Sequence, residues 1–146
     1  YLLEQTGMTI KELDIVLNQK SGLLGICGMN DLPDIHEKID AGHTKAALAV
    51  EMFCYQVKKY IGAYAAVLGH IDAIVFTAGV GENDPIIRAK TCENLSFLGI
   101  WISPEKNNQK TSKPFYLHSE DSQVQVWVVP TNEELQIAKD VQKLLK

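Results

Sequence analysis

The feature that most narrows the possible folds lies between residues 43 and 94. Ala46, Ala47, Val50, Phe53, Cys54, Val57, Ile61, Ala65 and Leu68 recur at steps of three and four, which predicts one long amphipathic helix over 43–69. Gly69 ends that pattern, and Ile71 opens IDAIVFT, a short apolar run suited to a buried strand. The chain then turns through AGVGEN and re-enters a helical pattern over 84–94, with Pro85 in its first turn. A second alternating run, Val124, Val126, Val128 and Val129, is closed by Pro130 and followed by a terminal helix from TNEELQIAKDVQKLLK. This order of strand, turn, helix, strand and helix is α/β, with helices on the faces of a mainly parallel sheet. Two clear strands bury little apolar surface. Upstream residues are therefore expected to complete the sheet.

The flanking segments are short. YLLEQTGMTIKELDIVLNQK predicts two helices, the first ended by Gly7 and the second capped by Thr9 with Glu12 as its reciprocal partner. Ser21 to Cys27 fits a short strand or a close-packed loop equally well, and 102–112 is expected to be a polar surface loop. With 146 residues, 46% of them hydrophobic, disorder is excluded. The net charge is −4, and Arg88 stands alone among thirteen lysines. That balance does not make a nucleic-acid surface, and bidentate phosphate clamps normally need more than one arginine. Cys27, Cys54 and Cys92 are odd in number and widely spaced, as expected of reduced thiols in a cytoplasmic protein. Neither a membrane-spanning apolar run nor a signal peptide is evident, and a chain that starts at Tyr1 reads as processed or cut.

Three segments have the residue types for chemistry. In Ala78-Gly79-Val80-Gly81-Glu82-Asn83 the glycines permit unusual backbone angles and close approach of a ligand, and successive N–H groups can meet a phosphate or a nucleoside. A plain strand-to-helix turn, with Asn83 as a cap and Glu82 as a surface charge, accounts for the same residues. In Thr131-Asn132-Glu133-Glu134 the expected local structure is a capping box between Thr131 and Glu134. Glu133 lies outside that box, and is either a favourable charge at a helix start or a carboxylate for Mg²⁺. Asn30-Asp31-Leu32-Pro33 offers hydrogen bonds to a ribose and an apolar contact for a base, or simply a turn into Pro33. His36, His43, His70 and His118 have no metal-ligand spacing and read as capping or surface residues.

Taken together, SGLLGICGMNDLPDI at 21–35, KKYIGAYAAVLGHIDAIVFTAGVGENDPIIR at 58–88 and VVPTNEELQIAKD at 128–140 closely resemble the acetate kinase family. The resemblance covers nearly the whole chain. It implies the C-terminal, nucleotide-binding portion of a two-domain enzyme of the acetate- and sugar-kinase, Hsp70 and actin superfamily, with an RNase H-like core. The implied reaction is reversible phosphoryl transfer between ATP and acetate, giving ADP and acetyl phosphate with Mg²⁺, in a homodimer formed mainly through this half. By resemblance Gly79, Val80, Gly81, Glu82 and Asn83 bind the nucleotide, Asp31, Leu32 and Pro33 line the adenosine pocket, and Glu133 serves Mg²⁺. Pro33 stands where the family usually has arginine, so a guanidinium that would stack on the base is missing. The family's catalytic arginines, histidine and acidic residue, and its acetate pocket, lie upstream of the matched region. No catalytic residue is therefore assigned in this chain, and propionate, butyrate or no acceptor at all remain alternatives to acetate.

Overall fold

A computed structural model describes residues 1–145. The chain forms two compact units, Tyr1–Lys59 and Tyr60–Lys146.

The first unit is helical. It contains α1 (Leu2–Thr6), α2 (Ile10–Gln19), α3 (Gly22–Cys27), α4 (Leu32–Asp40) and the start of α5 (Thr44–Leu68). Local chemistry explains most boundaries. Gly7 ends α1 in the left-handed conformation that glycine adopts without steric cost. The Thr9 hydroxyl accepts from the Glu12 N–H at 3.3 Å while the Glu12 carboxylate accepts from the Thr9 N–H at 2.8 Å, which is the predicted capping box. Those bonds from Thr9, the backbone one first, hold the Glu12 carboxyl below its usual range. A group so shifted stabilises the fold above its ordinary range, near pH 4.3, and that contribution is lost as pH falls toward the lowered value. Loss of the N-cap side chain in Thr9→Ala should destabilise the complete subunit by about 1 kcal/mol, and the deficit relative to the parent should narrow as pH falls through the carboxylate range. Denaturant unfolding at pH 7 and pH 3.5 checks both statements.

Residues 21–27 are neither strand nor loop. They form α3, because Gly22 takes φ 62° at its start and Gly28 closes it in the left-handed region, so glycines bracket the turn rather than break it. At the start of α5 the His43 ring accepts from the Ala46 N–H at 3.1 Å, the capping role expected of that histidine. The buried apolar side chains of this unit are Leu32, Ile35, Ala46, Ala49, Val50 and Cys54.

The second unit holds the sheet. Its elements after α5 are β1 (Ala73–Phe76), α6 (Ala78–Asn83), α7 (Pro85–Cys92), a 3₁₀ turn at Ser96–Leu98, α8 (Pro104–Asn107), β2 (Phe115–Tyr116), β3 (Gln125–Val128) and α9 (Glu133–Leu144). The strand order is β1-β3-β2, with β1 parallel and β2 antiparallel to β3. The predicted parallel pair is present, and the two-residue strand β2 makes the small sheet mixed. Period-two alternation sorts the faces. Val126 and Val128 point into a core with Cys92, Leu95, Ile100, Leu117 and Val124, while Ile74, Phe76 and Phe115 pack against it. Val75, Trp127 and Tyr116 share a row on the opposite face, where the Tyr116 and Trp127 rings meet edge-on at 5.7 Å. His118, expected at the surface, instead accepts from the Val126 N–H at 3.1 Å and extends the sheet edge. The expected polar loop at 102–112 contains α8, whose start is capped by the Ser103 hydroxyl. Among the described residues no helix is long and apolar enough to cross a membrane.

Candidate functional site

The site grows from the ends of the parallel pair β1 and β3. Beyond the paired residues, the Val129 N–H donates to the Phe76 carbonyl and the Thr77 hydroxyl to the Val129 carbonyl, both at 2.9 Å. These bonds carry the register one residue past each strand, so the segments that follow leave the sheet side by side.

After β1 the AGVGEN segment is not an open glycine turn. It forms the helix α6, entered through Ala78 at φ 58°. The unusual backbone angle thus falls on alanine, and neither Gly79 nor Gly81 has positive φ. The two glycines differ in their surroundings. A Cβ on Gly81 would sit 3.2 Å from the Phe76 carbonyl carbon, so its hydrogen side chain lets α6 lie tightly on the end of β1. A Cβ on Gly79 would meet nothing within 4 Å, leaving open space beside its backbone. The Asn83 side chain donates to the Gly79 carbonyl at 2.8 Å within α6. The cap of α7 is Asp84, one residue beyond Asn83, whose carboxylate accepts from the Ile87 N–H at 2.9 Å.

After β3 the predicted capping box is replaced. Asn132 is the N-cap of α9 and accepts from the Leu135 N–H at 2.8 Å, which places Glu133 and Glu134 at the first and second helical positions. Asparagine is as good an N-cap as threonine or better, and Thr131 is otherwise engaged. Its N–H and its hydroxyl both donate to Glu82 Oε1, at 2.8 and 3.0 Å. Glu82 is therefore more than a surface charge, and the Thr131 backbone N–H, as the largest influence, holds its carboxyl below the usual range. Glu82, Asn83, Thr131 and Asn132 together line a cleft of ≈ 730 Å³, which Lys110 and Thr111 also line. Gly79 and Val80 are exposed outside that lining, and Glu133 follows directly on it.

Arg88, from α7, is the residue whose role is least legible in the sequence. It is 1% exposed. Its Nη1 donates to the Gly81 and Glu82 carbonyls at 2.9 Å each, and its Nε donates to the Asn107 side-chain oxygen at 2.8 Å. Nη2 donates to the Asn107 carbonyl at 2.6 Å, and the Asn107 amide donates in turn to the Pro85 carbonyl at 2.8 Å. Burial lowers the Arg88 pKa, and the nearby Asp84 charge opposes that shift. The guanidinium thus fastens the last carbonyls of α6 to α8.

The third predicted segment lies in the first unit. Asp31 is the N-cap position of α4 and Pro33 stands within its first turn, where a missing N–H costs nothing. Both are exposed, whereas Leu32 is 8% exposed and packs inward. Of the three, Asp31 and Pro33 present their surface to the outside.

The sequence profile of the Acetokinase family matches residues 1–139. The chain belongs to the acetokinase family. It is 51% identical to the acetate kinase of Oleidesulfovibrio alaskensis over 146 residues, covering all of this chain and 36% of that relative. Among solved structures, Porphyromonas gingivalis acetate kinase superposes with a TM-score of 0.88 at 41% identity, over 99% of this chain and 37% of the other. A propionate kinase from Francisella tularensis superposes with a TM-score of 0.84 at 38% identity, over 94% and 35%. The chain spans about a third of the length of these relatives, and carries the actin-like ATPase fold in part.

Proposed function

We propose that this chain is the C-terminal, nucleotide-binding portion of an acetate kinase that interconverts ATP plus acetate with ADP plus acetyl phosphate. The observation that carries the reading is the family match over 1–139, with 51% identity to a named acetate kinase. On this reading Gly79, Val80, Gly81 and Asn83 form the nucleotide side, Glu133 serves the metal, and Asp31, Leu32 and Pro33 belong to the adenosine pocket. The superposition on a propionate kinase supports a second reading in which the acceptor is one carbon longer. A methylene is worth only about 1–3 kcal/mol of discrimination. Turnover of the complete subunit on acetate and on propionate separates the two.

The donor chemistry fits Mg²⁺. Among the described residues no group of three or more His, Cys, Asp or Glu side chains could hold a metal. Mg²⁺ bound to a nucleotide does not need one, because phosphate oxygens and waters fill most of its octahedron and one or two carboxylates complete it. Glu133, exposed at the first helical position of α9, meets that requirement. When bound, Mg²⁺ neutralises charge on the phosphates. The chain's own contribution is to hold α6 and the start of α9 in fixed relation, so that little reorganisation is needed as charge develops.

The homodimer is carried by the family resemblance; within this chain α5 leaves Leu48, Met52 and Tyr55 exposed in the first unit and Tyr60, Tyr64, Val67 and Leu68 exposed in the second. The three free cysteines agree with a cytoplasmic site of action.

Gly79 provides the test of the nucleotide side. Gly79→Ala adds one methyl group in open space at a helical position, so the fold is expected to be unchanged or slightly more stable. A nucleotide lying against this backbone should bind about tenfold more weakly, about 1.4 kcal/mol. Calorimetric titration of the complete subunit with ADP measures it, and undiminished affinity removes the nucleotide from α6. Gly81 is the poorer probe, because a side chain there crowds Phe76 whether or not a ligand binds.

A further inference from the structure

We propose that Glu82 is a positioning residue, a latch from α6 that sets where α9 begins and so where Glu133 is presented. The inference rests on the reading of Glu133 as the metal-side carboxylate. It assigns Glu82 to the protein's own framework, where the family resemblance alone would assign it to the nucleotide.

Three observations lead there. The first is the reach of the bond. Glu82 Oε1 accepts from both donors of Thr131, a residue 49 positions away, and so joins the two segments that leave β1 and β3. Two donors of one residue converge on a single carboxylate oxygen, so the position of that oxygen fixes both the backbone and the side chain of Thr131.

The second is what α9 lacks. None of its residues is buried, and 131–145 are exposed throughout. Within this chain, apolar packing, the usual means of fixing a helix on a sheet, does not place its start. The ladder ends with the Val129 N–H, and Pro130 has no N–H to extend it. Thr131 is the next residue able to donate, and both of its donors go to Glu82.

The third is the support behind the latch. Arg88 Nη1 holds the Glu82 carbonyl at 2.9 Å, and Arg88 is itself buried and bonded to Asn107. The carboxylate therefore extends from a backbone already fixed on its own side. A side chain mounted in this way can hold a less anchored partner.

Replacement by glutamine separates a latch from a ligand-contacting charge, because the amide oxygen of Glu82→Gln still accepts from Thr131 while the charge is gone. In the complete subunit without nucleotide, Glu82→Ala is expected to accelerate hydrogen exchange at the Thr131 amide by about tenfold or more. Glu82→Gln should keep exchange within about threefold of the parent. With Mg²⁺ and ADP, the half-saturating Mg²⁺ concentration should rise about tenfold in Glu82→Ala and stay within about threefold in Glu82→Gln. Thr131→Val keeps the backbone donor and loses the hydroxyl, so it should shift both quantities less than Glu82→Ala. Added to Glu82→Ala it should shift neither further, the signature of a shared interaction.

Parental exchange at Thr131 in Glu82→Ala overturns the proposal. So does a Glu82→Gln protein whose Mg²⁺ dependence is as impaired as that of Glu82→Ala, since charge rather than position would then be at work. If the parent subunit shows no Mg²⁺-nucleotide response, the functional reading fails. The exchange measurement still decides, separately, whether Glu82 holds the start of α9.

Discussion

Replacing Arg88 with methionine is expected to destabilise the complete subunit by about 3–5 kcal/mol, and to lower its thermal midpoint on the order of 10 °C. Methionine fills much of the volume, so the loss is electrostatic and not a cavity. The parent guanidinium serves the Gly81, Glu82 and Asn107 carbonyls and the Asn107 side chain in a nearly fully buried position. Acceptors left unpaired in such a place cost about 1–3 kcal/mol each, partly recovered as the structure relaxes. Arg88→Lys keeps the charge, but one ammonium cannot match a planar fork spread over two separate elements, so only part of the loss should return. Denaturant unfolding of the three proteins decides the matter. A methionine variant within about 1 kcal/mol of the parent would show that these bonds contribute little.

Glu133→Gln is expected to lower turnover of the complete enzyme on the order of 100-fold at fixed Mg²⁺, about 2.7 kcal/mol in the barrier, with stability nearly unchanged. Glu134→Gln is the control. Because Asn132 is the cap, Glu134 is not occupied in a capping box, and both glutamates sit in the same first turn. Their helix-dipole contributions to stability are alike and small, about 0.3–1 kcal/mol each. Direction separates them, since consecutive residues of an α-helix point about 100° apart. Turnover against Mg²⁺ concentration for both variants, beside their unfolding curves, tests the assignment. A larger effect from Glu134→Gln would reverse it.

What is legible in the sequence is what is local or periodic. The helix at 43–69 and the parallel strands announce themselves through repeated apolar spacing, and the Thr9–Glu12 box needs only four residues. Expectation and structure part where a local signal meets a distant partner. Thr131 and Glu134 have the spacing of a capping box, yet Glu82 competes for Thr131 from 49 residues away and the cap moves to Asn132. Arg88 stands out as the only arginine, but its tie to Asn107 spans 19 residues and two helices, and no pattern encodes it. Glycine suggests a break at both GLLGIC and AGVGEN, whereas both segments are helical. In the second, glycine's value is its lack of bulk beside Phe76. The strand β2 is two residues long, too short for alternation to register.

Ala78 carries a consequence for how this joint can drift in evolution. A residue held at φ 58° without glycine's freedom bears about 1–2 kcal/mol of steric strain. Glycine there would relieve it while giving back about 0.4–1 kcal/mol through a looser unfolded chain, so the two residues are close to interchangeable. Asparagine tolerates the same conformation. Valine, isoleucine and threonine do not, because branching at Cβ crowds the carbonyl further. The passage from β1 into α6 therefore admits a very small alphabet at one position, on grounds of backbone geometry alone and before any ligand imposes a demand.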